Sequence, residues 1–298
     1  MKPTEETQRR YKKIICDIAK AFDTFCCKHD LRYFAIGGTA IGALRHNGII
    51  PWDDDIDFAM PRPDYERFLT ICGELLPKYE MVTHRKSPLY HLSMGKLCDT
   101  ETSYLASFRQ RVMLGAFIDI FPMDGCPGKT KEERDKFFNN YMKLRHKGEA
   151  IQNYYYLSDF LSAVHMKSWE DIPRQLRSHW YHLTGKKNPF FTKCDDVLMA
   201  NDYDTSEYVA YFGTWRGPKV ISRREWFDGY YYADFEDFKI RIPKGAHEYL
   251  TRLFGDYMTP PPQDVIATDN HGYVFLDLDK RISWDEARRM VKMCKQAK

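Results

Sequence analysis

Asp55 and Asp57 stand two residues apart in the stretch Pro51-Trp52-Asp53-Asp54-Asp55-Ile56-Asp57-Phe58. On a strand, that spacing sends both carboxylates to one face and turns Ile56, Phe58 and Met60 toward the core. Converging carboxylates repel, and a divalent cation offsets that cost most simply. Hard oxygen ligands suit Mg²⁺ or Mn²⁺, with water and a substrate phosphate filling the remaining octahedral positions. A solvated acidic turn is the competing reading, but large apolar residues interleaved with the acids argue against it. A calcium loop of the EF-hand kind fails, because Phe58 falls where the sharp turn needs glycine and Asp64 where glutamate is needed.

Upstream lies Gly37-Gly38-Thr39, where an apolar run stops and a short helix begins. Glycines there let backbone approach a phosphate closely, and the helix amino terminus offers unsatisfied N–H groups. The spacing is neither a Walker A loop, lacking Gly-Lys-Ser/Thr, nor a dinucleotide fingerprint, since Thr39 takes the place of the second glycine. Downstream, Asp119 is one acid in the otherwise apolar Gly115–Phe121 stretch. A charge in such a strand must be paired, hydrogen-bonded, on metal or at a solvent edge. It is the expected third acid; Asp124, in Pro122-Met123-Asp124-Gly125, reads as a turn residue and a weaker rival. Lys96 could reach the phosphates, although a solvent-facing lysine is the commoner outcome. His46 and His271 fit structural as well as acid–base roles.

The elements that must position these groups follow from periodicity. Tyr11, Ile14, Ile15, Ile18, Phe22 and Phe25 predict an amphipathic helix over Glu5–His29. Strands are expected at Tyr33–Ile36, Asp55–Met60, Tyr79–Thr83, His91–Leu97 and Gly115–Phe121. Helices are expected at Thr39–Arg45 and after Pro61 and Pro63, and mostly helical text runs from Lys129 to Tyr181. Val209–Ile242 is aromatic and strand-like, His247–Phe254 helical, Pro260–Pro262 an extended connection, and Trp284–Lys295 a last helix capped by Ser283. The fold class is α+β (mixed α/β): a catalytic core over residues 1–128, with a helical insertion and carboxy-terminal region over 129–298 packed on it as one compact unit.

Composition sets the outer bounds. The chain has 298 residues, 45 Lys and Arg against 42 Asp and Glu, and a formal net charge of +3, which argues against coating nucleic acid through bulk charge. The 19 Phe, 20 Tyr and 6 Trp exceed what a core needs and offer rings for stacking on sugars or bases. Eight scattered cysteines form no C-x-x-C pair, so they read as reduced, mostly buried thiols of a cytosolic protein. No apolar leader opens the chain and no long apolar run follows, so a cytoplasmic protein without a transmembrane segment is expected.

The string Gly37-Gly38-Thr39 through Arg45-His46-x-Gly48-x-Ile50-Pro51-Trp52-Asp53-Asp54-Asp55-Ile56-Asp57 resembles the signature of the LicD family, phosphocholine transferases of bacterial surface glycans. It is similar also to that of the fukutin-related ribitol-phosphate transferases. The Gly115–Phe121 strand resembles the family's third-acid strand. Phe238-x-Ile240-x-Ile242-Pro243, Tyr249-Leu250 and Phe254-Gly255-Asp256-Tyr257 resemble its carboxy-terminal block, with Phe254 where tyrosine is frequent. Residues 129–209 match no recognised motif. The resemblance implies a nucleotidyltransferase-type core sheet flanked by helices, and a CDP-activated donor. It implies metal-dependent transfer of a phospho-alcohol, phosphocholine first, to a hydroxyl of a glycan or glycolipid acceptor. Gly37, Gly38 and Thr39 would then hold the diphosphate, with Arg45 and Lys96 as charge partners. Asp55 and Asp57 would hold Mg²⁺ or Mn²⁺, and Asp119 would complete the metal site or take the acceptor's proton. A nucleotidyltransferase that expels pyrophosphate and a non-catalytic glycan-binding protein are the alternatives.

Overall fold

The computed structural model describes residues 4–296, apart from 88, 91, 109–110, 154–156, 167–168, 170, 185, 187, 215 and 263–271. His91, Tyr154-Tyr155-Tyr156 and His271 therefore lie outside the described residues. Helix α1 (Glu5–Lys28) opens the chain; the Thr4 hydroxyl accepts the Thr7 N–H at 3.2 Å, and Glu5 and Glu6 suit the amino-terminal dipole. Its apolar face, Tyr11, Ile15, Ile18, Phe22 and Phe25, is buried at the expected spacing. Phe22 stacks on Phe58 with ring centroids 5.3 Å apart and meets Tyr33 and Phe68 edge-on, so much of the aromatic surplus is core.

Strands β1 (Phe34–Ala35), β2 (Asp57–Pro61), β3 (Tyr79–Val82), β4 (Gly95–Asp99) and β6 (Phe117–Gly125) form the main sheet in the order β1-β2-β6-β4-β3. Strands β2 and β6 run parallel, and the other neighbours run antiparallel. Helix α2 (Gly37–His46) links β1 to β2; helix α3 (Arg62–Ile71) follows β2 with a proline in its first turn. β5 (Ser103–Leu105) pairs with β11 (Phe275–Asp277), and neither was expected from the sequence. The far end of β6 is extended by β7 (Tyr208–Ala210) and β8 (Ser222–Arg223). The mixed sheet with helices packed around it is an α+β fold.

The helical stretch divides into α4 (Lys131–Asn153), α5 (Leu157–His165) and α6 (Asp171–Thr184), followed by α7 (Pro189–Met199), which the sequence did not announce. Asn188 caps α7, its side chain accepting the Phe190 N–H and donating to the Gly148 carbonyl at 2.8 Å. The hairpin β9 (Tyr230–Phe235) and β10 (Phe238–Pro243) precedes α8 (Ala246–Phe254), which ends at Gly255; α9 (Trp284–Gln296) closes the description, its Glu286 N–H bonded to Ser283. All eight cysteines are free thiols, six of them buried.

Three expectations need correction. β2 begins at Asp57, two residues later than expected, so Asp55 stands just before the strand, although the Ile56 carbonyl already accepts the Asp119 N–H at 2.9 Å. Asp124 is not in a turn: β6 runs through it to Gly125, and it is fully buried against Arg62. Helix α2 starts at Gly37 rather than Thr39, because Gly37 adopts φ +53° and lets the chain turn directly into the helix.

Candidate active site

The sheet register assembles the site. Asp57 on β2 is the direct partner of Asp119 on parallel β6, and Asp119 is the direct partner of Lys96 on antiparallel β4. Residues opposite one another in register project to the same face, so Lys96, Asp119 and Asp57 form one row spanning about 10 Å across three strands. Lys96 is buried, not solvent-facing as its type suggested, and its ammonium lies 2.5 Å from Asp119 Oδ1. The Phe117 ring flanks that ammonium, with the centroid 3.5 Å away. Sequence reasoning could not see this pair, since its two members are joined only by strand register.

The first turn of α2 abuts the acidic end of the row. A Cβ on Gly37 would lie 3.9 Å from Asp57 Oδ2, and one on Gly38 only 2.6 Å from Asp53 Oδ2. The partial positive charge of the helix amino terminus therefore faces these carboxylates. Thr39 turns inward: its hydroxyl accepts the Asp57 N–H at 2.8 Å and locks the start of β2. The Gly37 N–H donates to Tyr249 Oη at 3.1 Å, and that hydroxyl bonds Tyr211 Oη at 2.9 Å. This tyrosine pair, which sequence reasoning missed as site-supporting, fixes the glycine turn from α8 and from the segment after β7. No local spacing announces it.

Asp53 joins the acids as a further residue that the sequence reading left in the background. Desolvation pushes the Asp55 carboxyl well above the usual carboxylate range, reinforced by the charges of Asp57 and Asp53, a hydrogen bond with Asp53 and the charge of Asp119. The four acids are thus close enough to feel one another. The phenols of Tyr11 and Tyr104, raised by burial and in smaller part by Asp54, Asp55 and Asp119, flank the same cluster.

Arg45 stands apart. It lies in the last turn of α2, about 12 Å along the axis from Gly37. Its guanidinium donates to the Tyr257 carbonyl at 2.6 Å and to His46 Nε2 at 2.9 Å. The expected charge partner for a diphosphate is therefore a strap between α2 and the segment after α8. His46 belongs to the same contact, its imidazole pushed down by desolvation and by Arg45. Asp124 is separate again, gripped by Arg62 at 2.6 and 2.7 Å.

Among the described residues, no three His, Cys, Asp or Glu side chains are already posed around one ion. Lys96 engages one oxygen of Asp119, Oδ1. Asp55 and Asp57 nonetheless fit Mg²⁺ or Mn²⁺: they are hard donors, and the mutual repulsion at Asp55 is what a cation relieves. Magnesium commonly takes only one or two carboxylates and leaves the rest to water and substrate phosphate.

The chain is similar in sequence to known proteins. The lipopolysaccharide cholinephosphotransferase LicD of Haemophilus influenzae is 32% identical over 273 residues, covering 86% of this chain and 93% of that protein. Shorter matches reach uncharacterized proteins of Rickettsia typhi, 33% identical over 72 residues (24% of this chain, 22% of that protein), and of Rickettsia prowazekii, 38% identical over 60 residues (20% and 21%). Residues 30–175, which carry the glycine turn, the acids and Lys96, match the nucleotidyltransferase domain of LicD/FKTN/FKRP. With the first likeness running nearly end to end through both proteins, the chain belongs to the LicD/FKTN/FKRP family.

Proposed function

We propose that this enzyme transfers a phospho-alcohol, phosphocholine first, from a CDP-activated donor to a hydroxyl of a surface glycan such as lipopolysaccharide. The observation that carries the reading is the row Asp57–Asp119–Lys96 beside the α2 amino terminus, in a chain collinear with a cholinephosphotransferase. Asp55 and Asp57 would hold Mg²⁺ or Mn²⁺, which when bound neutralises phosphate charge. Gly38 and Thr39, in the first turn of α2, would receive the diphosphate, with Gly37 shaping the turn while its N–H is held by Tyr249.

Lys96 bears on the two roles open to Asp119, metal ligand or base. An ammonium held against one carboxylate oxygen repels a nearby cation and also lowers the carboxylate's basicity; the reading favoured is that Asp119's other oxygen takes the acceptor's proton as the new bond forms, with Lys96 steadying the side chain. The acceptor oxygen forms a bond to the phosphorus bearing the alcohol, the bridging P–O bond to the nucleotide breaks, and CMP leaves with that electron pair. Positioning and charge neutralisation carry such a reaction without a covalent enzyme intermediate.

Chromatography of CDP-choline incubated with the chain and Mg²⁺ tests this. Slow release of CMP and phosphocholine to water is expected, absent with chelator and absent in Asp57→Asn. Pyrophosphate released from CTP or ATP in step with a nucleotide-modified product would overturn it in favour of nucleotidyl transfer.

A further inference from the structure

Among the described residues, α6 turns polar side chains inward and apolar ones outward, and α5 shows solvent an apolar stripe. On α6 the inward face holds Gln175 and Ser178, 3% and 0% exposed, whereas the outward face carries Leu176, Trp180 and Leu183. Leu183 is 86% exposed. On α5, which packs against α6, Leu157, Leu161 and Val164 repeat the spacing i, i+4, i+7 and are likewise exposed. Between the two helices Met166 and Trp169 also face solvent. The solvent side of a surface helix is ordinarily polar, and two adjacent apolar stripes make a patch that something covers.

Charge identifies the cover. From α5 to the residues just after α6, positions 157–187 hold five lysines and arginines against three acids, an excess of two in a chain that exceeds neutrality by only three. Arg177 and Lys186 are exposed on and just after α6, and the Lys186 ammonium sits 4.7 Å from the Trp180 ring centroid. Two copies of this hairpin placed face to face would oppose like charges. An anionic lipid surface instead accepts the apolar stripes at its acyl boundary, the indoles at the headgroups and the cations at the phosphates. With 9 and 14 residues, α5 and α6 reach only about 13 and 21 Å, short of a bilayer core, and no described helix is long and apolar enough to cross one. We infer that α5 and α6 form a membrane-docking hairpin that lies in the interface of an anionic bilayer. This inference stands on the helices alone and is independent of the transfer reaction.

Co-flotation of the full chain with vesicles of mixed phosphatidylglycerol and phosphatidylcholine tests it. The chain should float with these vesicles, much less with phosphatidylcholine alone, and less again as salt is raised. Leu161→Gln with Leu183→Gln should lower partitioning about a hundredfold while leaving the thermal melt unchanged. Arg177→Glu with Lys186→Glu, which leaves the apolar stripes intact, should abolish the preference for the anionic vesicles. No flotation at high lipid, or flotation indifferent to both double variants, would overturn the inference. So would a dimer in light scattering that the leucine substitutions dissociate, because the patch would then be a contact between copies.

Discussion

The Lys96 ammonium and the Asp119 carboxylate meet at 2.5 Å across a β4–β6 ladder in which the two residues are direct partners, their side chains 8% and 11% exposed. A buried pair of this kind returns much of its Coulomb energy as desolvation, but removing one member strands the other. Lys96→Met should therefore destabilise the chain by about 3–5 kcal/mol. Adding Asp119→Leu should recover a large part of that loss. Urea unfolding of the two single variants and the double variant checks this; independent, additive losses would show that the pair is not coupled.

The acids should separate into a working set and a structural one. Asp55→Asn, Asp57→Asn and Asp119→Asn should each lower turnover about a thousandfold or more while the protein stays folded. Mg²⁺ at about a hundred times its Kd should stabilise the native chain by about 2.7 kcal/mol, seen as a rise in Tm that Asp55→Asn and Asp57→Asn abolish. Asp119→Asn should keep most of that rise, because Lys96 already holds its carboxylate. Loss of the rise in Asp119→Asn would make it a metal ligand after all.

A second group of charges sets acid stability. Burial raises the Asp195 carboxyl, but hydrogen bonds and charge from His84 and Arg85 outweigh it and hold the group at about 2. Its ordinary value is about 3.9, so the unfolded chain binds more protons below that point. The stabilisation, about 2–3 kcal/mol, is present above about pH 4 and is lost as pH falls toward 2. Asp195→Asn should flatten the acid limb of the stability–pH curve below about pH 4. An unchanged acid limb would remove Asp195 from the account.

Glycine-to-alanine substitutions should diverge sharply. Inside a helix the change normally stabilises by about 1 kcal/mol. At Gly42, within α2, the new Cβ would meet the Gly48 carbonyl oxygen at 2.4 Å, where only backbone movement gives relief. Gly42→Ala should destabilise by about 1–3 kcal/mol despite the helical site. Gly73→Ala, with nothing within 4 Å of its Cβ, should be neutral to slightly stabilising. Thermal melts of the two variants decide; equal effects would show that α2 can move off the Asn47-Gly48 turn.

The sequence by itself determined the types and order of the candidate site residues and the faces of the strong elements. The run from Gly37 to Asp57 carries its glycines, acids and apolar residues within about twenty positions, so their types and order are legible without a fold. The same holds for α1, whose burial repeats every three to four residues, and for Asp119, conspicuous as a charge in an apolar strand. What the tertiary structure decided is who meets whom. Lys96 and Asp119 are 23 residues apart, Gly37 and Tyr249 are 212 apart, and only strand register and helix docking bring them together. Arg45 and Asp124 mark the converse. Their types suited phosphate binding and a turn, but Arg45 lies a helix length from the acids and Asp124 lies inside a nine-residue buried strand. Local pattern sets which way a side chain points along its own element; the partner it finds depends on contacts between segments far apart in the chain, which no local spacing encodes.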